Sequence, residues 1–311
     1  MASLKGLFNY KSTGFPFQEV EYQFETYRYY LQCFVKMMNT GYPKIDYLIT
    51  DAAGKLAHLQ GFKGYDAEWV SRFLKNGWNT EYILNFNLSS EPELARINNQ
   101  WQPIQTYYAI YSVGEALAYL LDQHKAGTHK SCLKKLNYFL KGINIQPWNL
   151  MYTGKLGKSG KDHFHVNFPV GIVIPHNLAR TGIEPIQMVC KCLKAEHPKR
   201  VDDDFQKKPG IYKYNFDPGL TSLLNFMYRM RIKSNYEEID MFLAEAPDEV
   251  IIEFGKNLAF ICLYTLTLFE IAIIRKIGKA NFSKIVEEYL KINKSASAIE
   301  ARNSLYKSLI K

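Results

Sequence analysis

Pro103-Ile104-Gln105-Thr106-Tyr107-Tyr108-Ala109-Ile110-Tyr111-Ser112-Val113-Gly114-Glu115-Ala116-Leu117-Ala118-Tyr119-Leu120-Leu121 is the stretch on which the fold turns. Proline suits the first turn of a helix, where its missing amide hydrogen would go unpaired anyway. From Tyr107 to Leu121 the apolar and aromatic residues recur at helical spacing and cover a face wide enough to be buried on more than one side. Gly127-Thr128-His129 interrupts the pattern, and Thr128 is placed to cap a second helix with the apolar face Cys132, Leu133, Leu136, Phe139 and Leu140. A helical hairpin therefore lies near the middle of the chain.

Outward from it the same periodicity recurs. Val20, Tyr27, Leu31, Phe34, Val35 and Met38 mark a helix that ends at Gly41-Tyr42-Pro43. Ala67–Leu74 and Glu81–Phe86 read as two shorter helices separated by Asn76-Gly77. Residues 1–100 thus form an N-terminal helical extension, not a nucleotide-binding β-α-β unit. Residues 141–219 differ in kind. Pro147, Pro169, Pro175, Pro185, Pro198, Pro209 and Pro218 predict an irregular Pro/Gly-rich insertion outside the bundle, with helix only near Ile186–Leu193. Phe168–Ile174 is strand-like, but Pro169 confines it to an edge or a loop. Helix resumes at Leu220–Phe242 and at Asp248–Lys276, where Asp248 and Glu249 suit the first turn and Arg275 and Lys276 the last. Residues 277–311 give a short amphipathic helix, Phe282–Ile292, and a frayed tail. The expected fold is mainly α, with a core from 101–140 and 220–276.

The 311 residues carry a formal charge of +9, which favours a polyanionic partner. Lys125, Lys130, Lys134, Lys135, Lys141, Lys155, Lys158 and Lys161 follow one another with no acidic residue among them. Either a solvated helix face followed by a mobile basic loop or a nucleic-acid surface accounts for this run. The five scattered cysteines fit reduced thiols, and no signal-peptide run follows Met1, so a cytoplasmic setting is expected. Leu258–Ile274 falls just short of bilayer length and contains Glu270, so it reads as a core helix and no membrane association is expected.

Motifs for a metal or cofactor are weak, and neither is expected. Asp162-His163-Phe164-His165 with His176 lacks evident further ligands, and Cys190-Lys191-Cys192 with His197 is too tightly spaced for a structural zinc site. Gly157-Lys158-Ser159 is similar to the end of a P-loop, yet Tyr152 stands where the first glycine belongs. Asp202-Asp203-Asp204 reads as a solvated acidic turn.

The segment Tyr107–Leu117, followed by a glycine turn and Thr128-His129-Lys130, resembles the second helix of HEPN domains and the start of the next. Tyr228-Arg229-Met230-Arg231-Ile232-Lys233-Ser234-Asn235-Tyr236-Glu237 is similar to that family's late segment, and the order of elements is similar to YaaC-like proteins. The resemblance implies a HEPN-like helical bundle in a prokaryotic toxin or antiviral defence system. It also implies a homodimer through the helical core, for which Leu223, Phe226 and Met230 could line the seam. Catalytic members carry an arginine followed four to six residues later by histidine, and no such pair occurs here. Arg231 and Tyr236 stand nearest to it. The tyrosine has an ordinary pKa of about 10 and is a poor base at neutral pH.

Three readings follow: a component that binds RNA or single-stranded DNA without cleaving it, an interaction scaffold docking an effector protein, and a divergent metal-independent ribonuclease. Arg231 and Tyr236 are the candidate catalytic pair. Lys130, Lys134, Lys155, Lys158, Lys161 and Arg229 are the candidate nucleic-acid contacts. Against these stands a structural role in which Arg231 bonds a neighbouring helix while Tyr236 packs in the bundle.

Overall fold

The computed structural model describes residues 17–89, 92–156, 161–164, 185–206, 220–237, 242 and 246–310. The helices are α1 (Phe17–Gly41), α2 (Ile45–Lys55), α3 (Ala67–Ser89), α4 (Pro92–Ile97), α5 (Trp101–Asp122), α6 (His129–Gly142), α7 (Pro185–Gln206) and α8 (Leu223–Ile232). One π-helical turn, Lys233–Glu237, follows α8, and then come α9 (Asp248–Ile277), α10 (Lys279–Ile292) and α11 (Ser297–Leu309). A two-stranded antiparallel hairpin, β1 (Tyr152–Leu156) and β2 (Lys161–Phe164), stands between α6 and α7. The chain is mainly α, as its periodicity predicts.

The fold is built around α5, which is buried nearly all round between α3 on one side and α9 on the other, with α6 and α8 beside it. A helix whose circumference is mostly apolar is stable only in such a position. The close approach depends on small residues. A Cβ at Gly114 would sit 2.7 Å from Leu136 Cδ1 and 3.3 Å from Phe269 Cε2, so the glycine is what lets α6 and α9 close on α5. Thr128 caps α6 as its position implies, its hydroxyl accepting from the Ser131 amide at 3.2 Å.

Several boundaries differ from the sequence reading. Asn76-Gly77 does not break α3, which runs unbroken from Ala67 to Ser89. A Cβ at Gly77 would meet Val113 Cγ2 at 2.6 Å and Ala109 O at 3.1 Å, so this glycine serves the α3–α5 crossing and not a turn. Gly77→Val is expected to cost about 1–3 kcal/mol by overpacking, measured as a lower urea midpoint; an unchanged midpoint would show that the two helices can part freely. α2 and α4 are additional helices. The C-terminal segment is not frayed up to Leu309, because α11 buries Ile299, Arg302 and Tyr306.

The described part of 141–219 is not outside the bundle. Ile143, Ile145, Trp148, Leu150, Met151 and Tyr152 are all buried, and Tyr152 pairs with Thr221 through two backbone hydrogen bonds. α7 is longer than expected, continuing past Pro198 to Gln206, and buries Met188, Val189, Cys190, Cys192 and Leu193 while packing against α1 and α8. The helix expected over Leu220–Phe242 instead leaves α geometry at Lys233. Leu223, Phe226 and Met230 cannot line an outer seam, since each is enclosed within the chain. Phe226 stacks between Tyr27 and Phe34 at 5.8 and 5.6 Å.

α9 is long and apolar enough to cross a bilayer, yet most of it is buried against other helices, and it carries Glu270 at its heart. Arg302 on α11 reaches that carboxylate through Nε at 2.9 Å and Nη2 at 2.9 Å, and reaches Glu81 on α3 through Nη1 at 2.6 Å and Nη2 at 2.8 Å. Trp78 Nε1 and the Tyr306 hydroxyl also donate to Glu270, at 2.8 and 2.5 Å. Burial works against the Arg302 charge, but Glu270 and Glu81 outweigh it and hold the guanidinium above its ordinary pKa. Three helices are thereby tied at one buried point.

Candidate functional site

Where α5, α6 and α8 meet, the chain gathers four tyrosines, a histidine and an arginine. Tyr107, Tyr108 and Tyr111 come from α5, His129 from the first residue of α6, and Tyr228 and Arg231 from α8. The spacing of Tyr107 and Tyr111 puts both on one helix face, and their rings stack at 5.8 Å. The His129 ring lies 4.1 Å from that of Tyr111 and 5.9 Å from that of Tyr228, and its Nδ1 is 2.7 Å from the Tyr107 hydroxyl. Arg231 Nη2 donates to the Tyr108 hydroxyl at 2.6 Å, with the guanidinium carbon 5.2 Å from the centre of that ring.

The π-helical turn completes the arrangement. Five residues along an ordinary α-helix turn two side chains about 140° apart, which would carry Tyr236 away from Arg231. A π turn bonds each residue to the fifth beyond it and so brings such a pair onto one face. The Arg231 guanidinium accordingly sits 5.6 Å from the Tyr236 ring centre. It is held between two tyrosines: Tyr108 packed against the bundle, and Tyr236 with 69% of its surface exposed. Such π turns recur at functional sites.

Electrostatics set the protonation states. Burial pushes the Tyr107 and Tyr111 hydroxyls well above the usual tyrosine range, with Glu115 adding to the effect at Tyr111, so both remain neutral hydrogen-bonding groups. Burial lowers the His129 pKa, Arg231 lowers it further, and Glu115 opposes them. Glu115 is itself buried and accepts from the Ala126 amide at 3.2 Å, which fixes the α5–α6 turn that presents His129. Among the described residues Arg231 forms no ion pair, although its Nε is enclosed.

The structure brings Arg231 and Tyr236 together and adds His129, which sequence spacing alone does not mark. Its place at the start of α6, after the Gly127-Thr128 break, is a signal for it, since that break returns the chain toward Tyr107. Arg229 lies half-buried on α8, two residues before Arg231. Lys130 and Lys134 are exposed on α6. Lys155 and Lys161 occupy strand positions in β1 and β2, not a loop, with their side chains outside the described residues; Lys158 lies outside them altogether.

The lysine run is partly neutralised in space. Lys125 Nζ is 3.2 Å from Asp66 and 4.1 Å from the centre of the Trp69 ring, and Lys135 Nζ is 2.7 Å from Asp122.

Among the described residues no group of three or more His, Cys, Asp or Glu could hold a metal ion. Cys190 and Cys192 are buried, burial pushes the Cys190 thiol up to about 12, and His197 Nδ1 pairs with the Thr221 hydroxyl at 2.9 Å. Asp162 and His163 lie in β2, with their side chains outside the described residues, as are His165, His176, Phe168–Ile174 and Gly157-Lys158-Ser159. In comparisons with family models, with curated proteins and with solved structures, no match was found.

Proposed function

We propose that this protein is a nucleic-acid-associated component that binds RNA or single-stranded DNA at the Tyr108–Arg231–Tyr236 stack. The observation that carries the reading is a half-buried guanidinium with no carboxylate partner among the described residues, clasped between two tyrosine rings of which one is exposed. Arginine in this setting meets phosphate with a planar fork, and an exposed tyrosine offers a face to an unpaired base. Lys130 and Lys134 on the neighbouring helix add positive potential, and the net charge of +9 acts in the same direction. The resemblance to HEPN domains supports placing such a component in a prokaryotic toxin or defence system, and a homodimer would need a surface other than the buried Leu223, Phe226 and Met230.

The test is the fluorescence anisotropy of a labelled mixed-sequence RNA 20-mer and its DNA counterpart, titrated at several salt concentrations. The parent is expected to bind with affinity falling steeply as salt rises. Arg231→Ala should weaken binding about tenfold, in line with the loss of one charge-assisted phosphate contact, while unfolding at the same urea concentration within error. Tyr236→Ala should weaken it by a similar factor through lost stacking. If neither nucleic acid binds at low salt the reading fails, and the scaffold alternative gains. The exposed Tyr82, Ile83 and Phe86 on α3 would then be the face to examine.

A second reading rests on one further observation. His129 stands in the same cluster as Arg231, both touching Tyr108, at 5.9 Å between rings and 5.2 Å from the guanidinium carbon. An imidazole able to move a proton beside a guanidinium able to steady phosphate charge is the chemistry of metal-independent RNA cleavage. Cleavage of labelled RNA in the presence of EDTA, lost in Arg231→Ala, would favour it over binding alone.

A further inference from the structure

We infer that this site takes up its nucleic acid as one unpaired base and its phosphate, the base against Tyr236 and the phosphate at Arg231, and that His129 gains a proton as the phosphate enters. The inference rests on the binding role proposed above and specifies the form of its ligand.

The geometry limits what fits. Among the described residues Tyr236 is the one strongly exposed ring of the cluster, and its neighbours Tyr107, Tyr108, Tyr111 and Tyr228 are buried or half-buried. The described residues thus offer a platform for a single base and not for a run of them. A base stacked in a duplex cannot reach a single tyrosine without leaving its stack, so a paired strand is disfavoured. Beside the platform the Tyr108 hydroxyl accepts its hydrogen bond from Arg231, which keeps its own proton for donation to an incoming oxygen.

The proton follows from the charges that face His129. From α5 come Tyr107 and Tyr111, whose hydroxyls burial keeps neutral, with the Tyr108 ring and Glu115; from α8 come the Tyr228 ring and Arg231; its own helix contributes Cys132, whose thiol burial keeps protonated. Without ligand, burial and the Arg231 charge both favour neutral imidazole. A phosphate at Arg231 offsets that charge and adds its own, so the imidazolium becomes the favoured form. Above both the bound-state and free-state pKa values the proton is absent from each state, and affinity is flat. As pH falls through the bound-state value the complex takes up a proton and affinity rises, levelling once pH passes below the free-state value. A rise of one pKa unit on binding corresponds to a tenfold gain across that window.

The experiment titrates a labelled 6-mer RNA, the same 6-mer in a duplex, and a labelled abasic strand of equal charge, at pH 5.5 to 8.5 and constant ionic strength. Expected is about tenfold tighter binding of the single strand at the acid end. His129→Asn should remove most of this gain, read as the ratio of affinities at pH 5.5 and 8.5 within each variant whatever its absolute affinity, whereas replacing the exposed His58 or His124 with Asn should leave that ratio intact. The duplex and the abasic strand should bind severalfold more weakly than the single strand, and Tyr236→Ala should erase that difference. Equal binding of duplex or abasic strand overturns the base-stacking half; an equal pH profile in His129→Asn overturns the proton half. Absence of any binding at low salt overturns the binding role itself, and the inference with it.

Discussion

Arg302→Ala is expected to remove about 4 kcal/mol of folding stability, the range seen when one partner of a buried ion pair is deleted. Its guanidinium is 2% exposed at the residue level and donates to both Glu81 and Glu270. Removing it strands two carboxylates in the core, where only Trp78 and Tyr306 still donate to Glu270. Among the described residues Glu81 has no such second donor. Urea denaturation followed by far-UV circular dichroism measures the loss. Arg302→Lys keeps the charge but not the fork and should fall between the parent and alanine. Lys307→Ala, which breaks an exposed pair between α11 and Glu287 of α10, should change stability by less than about 1 kcal/mol. A loss that small for Arg302→Ala would mean that α11 can detach without disturbing α3 and α9.

This network orders the end of the chain, where the sequence predicts a frayed tail. A lone arginine in a polar helix of alternating charge gives no sign that it points inward, and its partners lie 221 and 32 residues away. Glu270 within an otherwise apolar run was the better clue, because a buried carboxylate requires a partner. By contrast, α5 was legible almost to the residue. Its apolar residues cover more than one side, and that pattern is satisfied by a central position among other helices. Asn76-Gly77 shows the opposite case. The dipeptide is a turn signal locally, but the space needed against Val113 and Ala109 decides its conformation, and that space is a tertiary property.

The candidate site divides in the same way. Arg231 and Tyr236 were legible as residues, and the need for a departure from α geometry between them followed from their spacing; the π turn meets that need. His129 was not legible as their neighbour, because its position depends on how α6 folds back along α5. The lysine run overstated the basic surface, since Asp66 and Asp122 lie outside it in sequence and beside Lys125 and Lys135 in space.

Trp148→Ala provides the sharpest measure of how far the segment after α6 belongs to the core, with an expected loss of about 3–5 kcal/mol. Pro147 and the neighbouring glycine and asparagines mark this stretch as loop in sequence, and a loop outside the bundle would expose its tryptophan. Surface substitutions of that kind usually change stability by less than about 0.5 kcal/mol. In the structure Trp148 is fully buried, its ring 6.3 Å from that of Tyr42, and its Nε1 donates to the Thr265 hydroxyl of α9 at 3.0 Å. An irregular backbone can therefore be core when its side chains are large and apolar and its polar atoms find partners. Trp148→Phe separates the two contributions: it keeps most of the ring packing, loses the hydrogen bond and should cost about 1–2 kcal/mol. If Trp148→Ala and Trp148→Phe both leave the urea midpoint unchanged, the segment lies outside the cooperative unit, and the bundle formed by α3, α5 and α9 folds without it.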